Sequence, residues 1–189
     1  QRVLMRNQAL TKHRLAPHNS DEIWMLYERY INHRHSDGDM FPADREQFVS
    51  FLVTGRPEAF FTEYRLGEQL IAVAVSDQLD DGLSAIYTFF DPDHAARSLG
   101  TLAILDLMQQ TNAAALPYLY LGYWIEASDK MRYKGDFRPQ EWEVRQQKEP
   151  QFPVHRARNT RISTSADFLE LSQCRSGSKP LWWSSRSWP

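Results

Sequence analysis

Hydrophobic residues recur along this chain with two different periods, and the switch between them orders the elements. In "SDEIWMLYERYINHRH", Ile23, Leu26, Tyr27, Tyr30 and Ile31 fall at i, i+3, i+4, i+7 and i+8, which predicts a helix with one buried face. Ser20 stands as its N-cap, and acids fill the first turn. After the loop "DGDMFPAD", the run "DREQFVSFLVTG" predicts a second short helix, with Asp44 and Gln47 at capping-box spacing and Gly55 beyond its end. The segment before Ser20 reads as irregular, so two helices are expected before any strand.

The pattern then turns to strands. "EAFFTEYRL", "QLIAVAVSDQL" and "LSAIYTFFD" are rich in β-branched and aromatic residues and are separated by turns at Gly67-Glu68 and Asp80-Asp81-Gly82. A three-stranded antiparallel meander follows from that. "PDHAARSLG" leads as a loop into "TLAILDLMQQTNAAA", where Leu102, Leu105 and Met108 recur at helical spacing, and Pro117 opens an aromatic strand, "YLYLGYWI". Strand, loop, helix and strand form a crossover, which sets the last strand parallel to its predecessor. The fold class expected is α/β (α+β), a mixed sheet flanked by helices. By period two, Tyr118, Tyr120 and Trp124 share one face of the aromatic strand, with Leu119, Leu121 and Tyr123 on the other.

Composition narrows the class without naming a function. A chain of 189 residues suits one domain with a real core, since roughly 70% of the unfolded surface is buried at this size. No apolar run approaches the roughly 20 residues of a membrane span, and the N-terminus carries no secretory pattern, so no membrane partner and a cytoplasmic setting are expected. The single cysteine, Cys174, leaves no intramolecular disulfide and no CxxC metal site within these residues. The chain starts at Gln1 rather than Met, which leads us to expect a fragment. The net charge of −2 conceals an asymmetry: residues 145–189 carry +5, which leaves −7 for residues 1–144. Bulk charge does not advertise nucleic acid, so any such contact must be local. Beyond Glu143 the periodicity decays into a Ser-, Arg- and Trp-rich stretch, read as a separate tail over 144–189, poorly ordered alone or docked on the domain.

Two segments carry candidate chemistry. The loop "RSLG", Arg97 to Gly100, lies between a strand and a helix start, where free N–H groups and the helix dipole hold phosphate; it also reads as an ordinary helix entrance capped by Ser98. The stretch "YLYLGYWIEASDKMRYKGDFRPQE" packs two Lys, two Arg and four Tyr into 24 residues. Its rings suit either a buried strand or stacking on a base, and its cations either a solvated loop or a binding site.

The element order is similar to the core of acyltransferases of the N-acetyltransferase type, and "RSLG" is similar to the Arg/Gln-x-x-Gly signature with which that superfamily grips a pyrophosphate. More specifically, "LPYLYLGYWIEASDKMRYKGDFRPQE", "YERYINHRHSDGDM" and "GEQLIAVAVSDQLDDGLSAIYTFFDPDHAARSLGT" resemble the arginyltransferase family. These are the aminoacyl-tRNA–protein transferases of the N-degron pathway, and the wording "YLGYWI" resembles the bacterial aspartate/glutamate leucyltransferase branch. The likeness covers about residues 1–143, the expected transferase domain. It implies transfer of leucine from leucyl-tRNA to proteins that begin with Asp or Glu. Arginine as donor, an acetyl-CoA-dependent N-acetyltransferase and a catalytically incomplete domain that binds acidic N-termini are the alternatives.

The substrates dictate what such a site needs. The donor is an activated ester and the nucleophile an α-amine with a pKa of about 7.7–8.0, so a polarised carbonyl, an oriented amine and a proton for the departing ribose hydroxyl suffice. No metal or cofactor is required. Tyr120, Ser128 and Asp81 are the candidate catalytic residues. Arg138, Lys130 and Lys134 are candidates to face the acceptor's acidic side chain, and Asp37 and Asp39, with Asp81, to face its ammonium group. The acids sit in good turn dipeptides at Asp37-Gly38 and Asp81-Gly82, a competing reason for their presence. Arg97, Ser98 and Gly100 are candidates for the terminal phosphates of tRNA, and Tyr133 or Tyr120 for stacking on the 3′ adenine. His33 and His35 could act as bases or serve as caps. The family carries an N-terminal cysteine-rich segment, and this chain is expected to start downstream of it; the tail after Glu143 departs from the family's ending.

Overall fold

Ser20 caps the first long helix as the spacing predicts: in a computed structural model, its side chain accepts a hydrogen bond from the Ile23 amide at 3.3 Å. The structure describes residues 1–35, 38, 40–124, 129–137, 140–144 and 158–163. Helix α2, Asp21–Arg34, buries Ile23, Leu26, Tyr27, Tyr30 and Ile31, the five positions the period selects. Asp44 accepts from the Gln47 amide at 2.6 Å and opens α3, Arg45–Phe48, which loosens into a π-helical turn over Val49–Val53.

The N-terminal segment is not irregular, and a strand does precede these helices. Residues Arg2–Arg6 form α1 and Leu10–Leu15 form β1, an edge strand on which only Leu10 is buried. An edge strand that faces solvent needs no apolar alternation, so "LTKHRL" left no periodic mark. Its Lys12 bonds instead to buried Asp106, which also accepts from Tyr64 Oη at 3.0 Å.

Strands β2, Ala59–Leu66, β3, Gln69–Gln78, and β4, Gly82–Phe90, form the expected antiparallel meander. After β4, residues Pro92–Arg97, read from sequence as loop, make a 3₁₀ helix; α4 then spans Leu99–Ala113, and β5, Tyr118–Trp124, returns parallel to β4. A short helix, α5, covers Asp129–Arg132, and Tyr133–Asp136 make one more 3₁₀ turn. The expected domain edge falls near the end of β6, Gln140–Val144, and Arg158–Ser163, within the expected tail, form β7. The described strands make one seven-stranded sheet in the order β1-β2-β3-β4-β5-β7-β6.

Each face of the sheet has its own core. Helices α2 and α3 and the π-helical turn cover Phe61, Val73, Val75 and Phe89 with Tyr27, Phe48 and Leu52, and the rings of Tyr27 and Phe48 each meet Phe89 edge to face. Helix α4 covers the other face through Leu102, Leu107 and Met108, and there Leu119, Leu121 and Ile162 are buried. Burial of each large side chain contributes about 1.5–3 kcal/mol, and the two helical layers fix β4 and β5 in the middle of the sheet.

Candidate active site

The functional geometry begins where β4 and β5 part. Their parallel ladder has three pairs, Gly82 with Tyr118, Leu83 with Leu119 and Ser84 with Tyr120; beyond these, β4 runs on to Phe90 and β5 to Trp124 without pairing. The two strands part there and leave a cleft between them. Its closed end is tight because a Cβ on Gly82 would lie 2.3 Å from the Tyr118 carbonyl oxygen and 3.1 Å from Tyr120 Cε2. Only glycine lets the β3–β4 turn approach β5 so closely.

The open arm of β5 is bent by a bulge. Its pairing with β7 steps from Tyr120 directly to Gly122, which skips Leu121, and Gly122 adopts a φ of +71°. The period-two reading therefore stops at Leu121: Leu119 and Leu121 are buried, whereas Tyr123 is 53% exposed. Lys134 serves the bulge, donating to the Leu121 carbonyl at 2.7 Å and the Tyr123 carbonyl at 2.9 Å. Burial pushes the Lys134 pKa down, while the two acceptors favour its charged form.

At the closed end, Tyr120 Oη donates to Asp81 Oδ2 at 2.8 Å. Two of the three catalytic candidates thus meet in one hydrogen bond; Ser128 lies outside the described residues, as do Arg138, Asp37 and Asp39. Lys130 belongs to α5 by its backbone, and its side chain is outside the description too. Tyr120 lies against Tyr118 with ring centroids 6.0 Å apart, and Asp81 is exposed in the turn.

Past the other end of β4 lies the "RSLG" loop. Ser98 takes a left-handed conformation (φ 56°, ψ 49°) between the 3₁₀ turn and α4, and its side chain makes no capping bond, so it is not the ordinary cap. The first amides of α4 therefore lack a side-chain cap. A Cβ on Gly100 would meet nothing. Arg97 donates from Nη1 to the Arg6 carbonyl at 3.0 Å, and its own carbonyl accepts from Asn7 Nδ2 at 2.9 Å, which ties the loop to α1.

Sequence reasoning missed the groups that brace this loop. Asp91, 3% exposed, accepts from the Asp93 amide at 3.0 Å, from Gln69 Nε2 at 3.3 Å and from Arg29 Nη1 at 3.0 Å. The signal was present, since an Asp before Pro at a strand end is a good cap for the turn that follows. Also missed was an aromatic group on the α2 side of the cleft: Tyr30 packs on Phe90 at 5.0 Å and on Tyr87 at 6.4 Å. Of the histidines, His35 packs on the Tyr30 ring at 5.3 Å and His33 is exposed. Tyr133 is 42% exposed, with its pKa raised by burial. Among the described residues no group of His, Cys, Asp and Glu could hold a metal, and no helix is long and apolar enough to cross a membrane.

Comparison with solved structures bears on the architecture. The fold is similar to the ribosomal-protein-S18-alanine N-acetyltransferase of Escherichia coli (TM-score 0.54, 13% identity, 82% of this chain and 95% of that one). It is also similar to PaiA N-acetyltransferase of Thermoplasma acidophilum, solved with coenzyme A (TM-score 0.54, 8% identity, 82% and 98%). The N-acetyltransferase-like fold is thereby established. In sequence, an aspartate/glutamate leucyltransferase of Pseudomonas fluorescens is 50% identical over 145 residues (77% of this chain, 62% of that protein). One from Teredinibacter turnerae is 53% identical over 129 residues (68% and 53%). The chain spans about three-fifths of the length of curated relatives such as these. The profile described as arginine-tRNA-protein transferase, C terminus, matches residues 22–144, which contain the cleft, the Tyr120–Asp81 pair and the "RSLG" loop, and the chain belongs to that family.

Proposed function

We propose that the protein transfers leucine from leucyl-tRNA to the α-amine of proteins that begin with Asp or Glu, in the cytoplasm, and so marks them for the N-degron pathway. Residues 1–143 form the transferase unit, and the tail over 144–189 lends β7 to its sheet. The observation that carries this reading is the roughly 50% identity to aspartate/glutamate leucyltransferases across the segment that builds the cleft.

In this reaction the neutral α-amine attacks the ester carbonyl carbon, an amide C–N bond forms, and the ester C–O bond breaks. The ribose oxygen leaves and takes up the proton that the amine loses. Asp81 accepts from Tyr120 on one carboxylate oxygen, and the pair fixes the closed end of the cleft. Tyr120 orients that carboxylate, and the uncapped first turn of α4 receives the terminal phosphates, with Gly100 leaving room for them. Alignment of two substrates in one cleft supplies much of the rate.

Labelled leucine and labelled arginine, each supplied on charged tRNA, test the reading on peptides that begin with Asp, Glu or Ala. Leucine on the acidic peptides alone is expected. Arginine in its place would reassign the donor, and label on the Ala peptide would sink the acceptor assignment.

A further inference from the structure

The last turn of α2 carries Arg34. Arg34 is exposed, and among the described residues no carboxylate pairs with it; its guanidinium lies over the Phe90 ring, 5.7 Å from the centroid. Phe90 belongs to the open arm of β4 and packs on Tyr30, which also reaches Tyr87 on the same arm. From the β5 side of the cleft comes Tyr133, near enough to Arg34 to feel its charge and near enough to Tyr30 to act on that phenol. The hydroxyls of Tyr30 and Tyr133 meet no hydrogen-bond acceptor among the described residues, whereas Tyr87 Oη reaches Met40 Sδ at 3.6 Å. One guanidinium fork and two phenolic donors are thus gathered beside the cleft with no acceptor for them among the described residues.

We propose that Arg34, with the hydroxyls of Tyr30 and Tyr133, forms the subsite for the side-chain carboxylate of the acceptor's first residue. The planar fork matches a carboxylate bidentately, and half-buried aromatic walls strengthen that pair over its value in open water. Burial raises the pKa of Tyr30 and of Tyr133, so both remain donors at neutral pH. Lys134, the cation that sequence reasoning favoured along with Arg138 and Lys130, already donates to two main-chain carbonyls. Among the described residues one cation lies against these rings, which suits one carboxylate better than a run of phosphates. This inference rests on the acceptor half of the proposed reaction alone.

Fluorescence anisotropy with C-terminally labelled peptides that differ only in an initial Asp or Asn tests it on the full chain. The wild type is expected to bind the Asp peptide at least tenfold more tightly, and Arg34→Met to bring both peptides to the weaker level with leucyl-tRNA affinity unchanged. Arg34→Lys, which keeps the charge and loses the fork, should retain a reduced preference and carries the test if the Met variant does not fold. Equal wild-type affinities, or an Asp preference that survives in Arg34→Met, would overturn the assignment. So would loss of leucyl-tRNA binding with the peptide preference intact, which would give the cation to the nucleic acid. Failure of leucine transfer by a wild type whose Asp preference depends on Arg34 would instead sink the transfer reading and leave this subsite standing.

Discussion

Tyr120 donates a 2.8 Å hydrogen bond to Asp81, and the two residues come from different strands' ends, one on β5 and one in the turn before β4. The bond spans the closed end of the cleft. Because Asp81 is exposed, the hydrogen bond contributes little to stability, about 0.5–1.5 kcal/mol. Its value lies in orientation. Tyr120→Phe should lower the leucine-transfer rate by roughly tenfold to hundredfold with a change in stability of about 1 kcal/mol or less. Asp81→Asn should behave likewise, and the double variant should lose no more than the worse single one, because the pair acts as a unit. Single-turnover transfer rates would decide; additive losses would argue for two independent roles.

Gly82 sets how close β4 and β5 lie. Since a Cβ there would stand 2.3 Å from the backbone oxygen of Tyr118, Gly82→Ala must push the strands apart. We expect a stability loss of about 1–3 kcal/mol, read as a lowered midpoint in chemical denaturation, together with impaired transfer. A variant of wild-type stability would show that the turn yields without strain.

Lys134 couples the bulge to pH. Its folded pKa is lowered from the ordinary lysine value by burial, so between that lowered pKa and about 10.5 the unfolded chain binds more protons than the folded one. Stability therefore gains a contribution as pH rises through that window. In Lys134→Met this component is missing, and the bulge carbonyls lose both donors. The difference in unfolding free energy between wild type and variant, followed from pH 7 to 10, should widen in favour of the wild type; a constant difference would contradict the burial of this ammonium.

Glu22 and Arg65 form a two-toothed pair between α2 and β2, with Nη2 to Oε2 at 2.7 Å and Nη1 to Oε1 at 3.2 Å. Hydrogen bonding to Arg65 lowers the Glu22 pKa from its ordinary value of 4.5, so the pair's stabilisation is complete above that pH and fades as pH falls through the lowered pKa. The carboxylate is half exposed, and solvent screening holds the effect to about 0.5 kcal/mol. Glu22→Gln should flatten the acid limb of thermal stability by that amount; an unchanged limb would make the pair silent.

Periodicity was a reliable guide wherever one face of an element is buried. It identified the five core residues of α2, the Asp44 cap, the meander and the parallel return of β5, because burial of alternate or every third and fourth residue is what writes such patterns into a chain. It failed at β1, whose exposed edge needs no apolar alternation, and at Tyr123, where the bulge interrupts the pleat. The long motifs were enough to identify the family.

Partners across the fold were not legible. Tyr120 and Asp81 were chosen separately, and only the three-pair β4–β5 ladder brings their side chains together over 39 residues of chain. Lys134 looked like a free cation because carbonyls left bare by a bulge leave no trace in composition. Arg34 drew no notice in the sequence, and its place over Phe90 follows from how α2 crosses the sheet. Local sequence determined which elements form and which faces they bury, since those depend on spacing within one segment. Tertiary structure alone decided where the ladder stops and the cleft opens, because that depends on the packing of residues far apart in the chain.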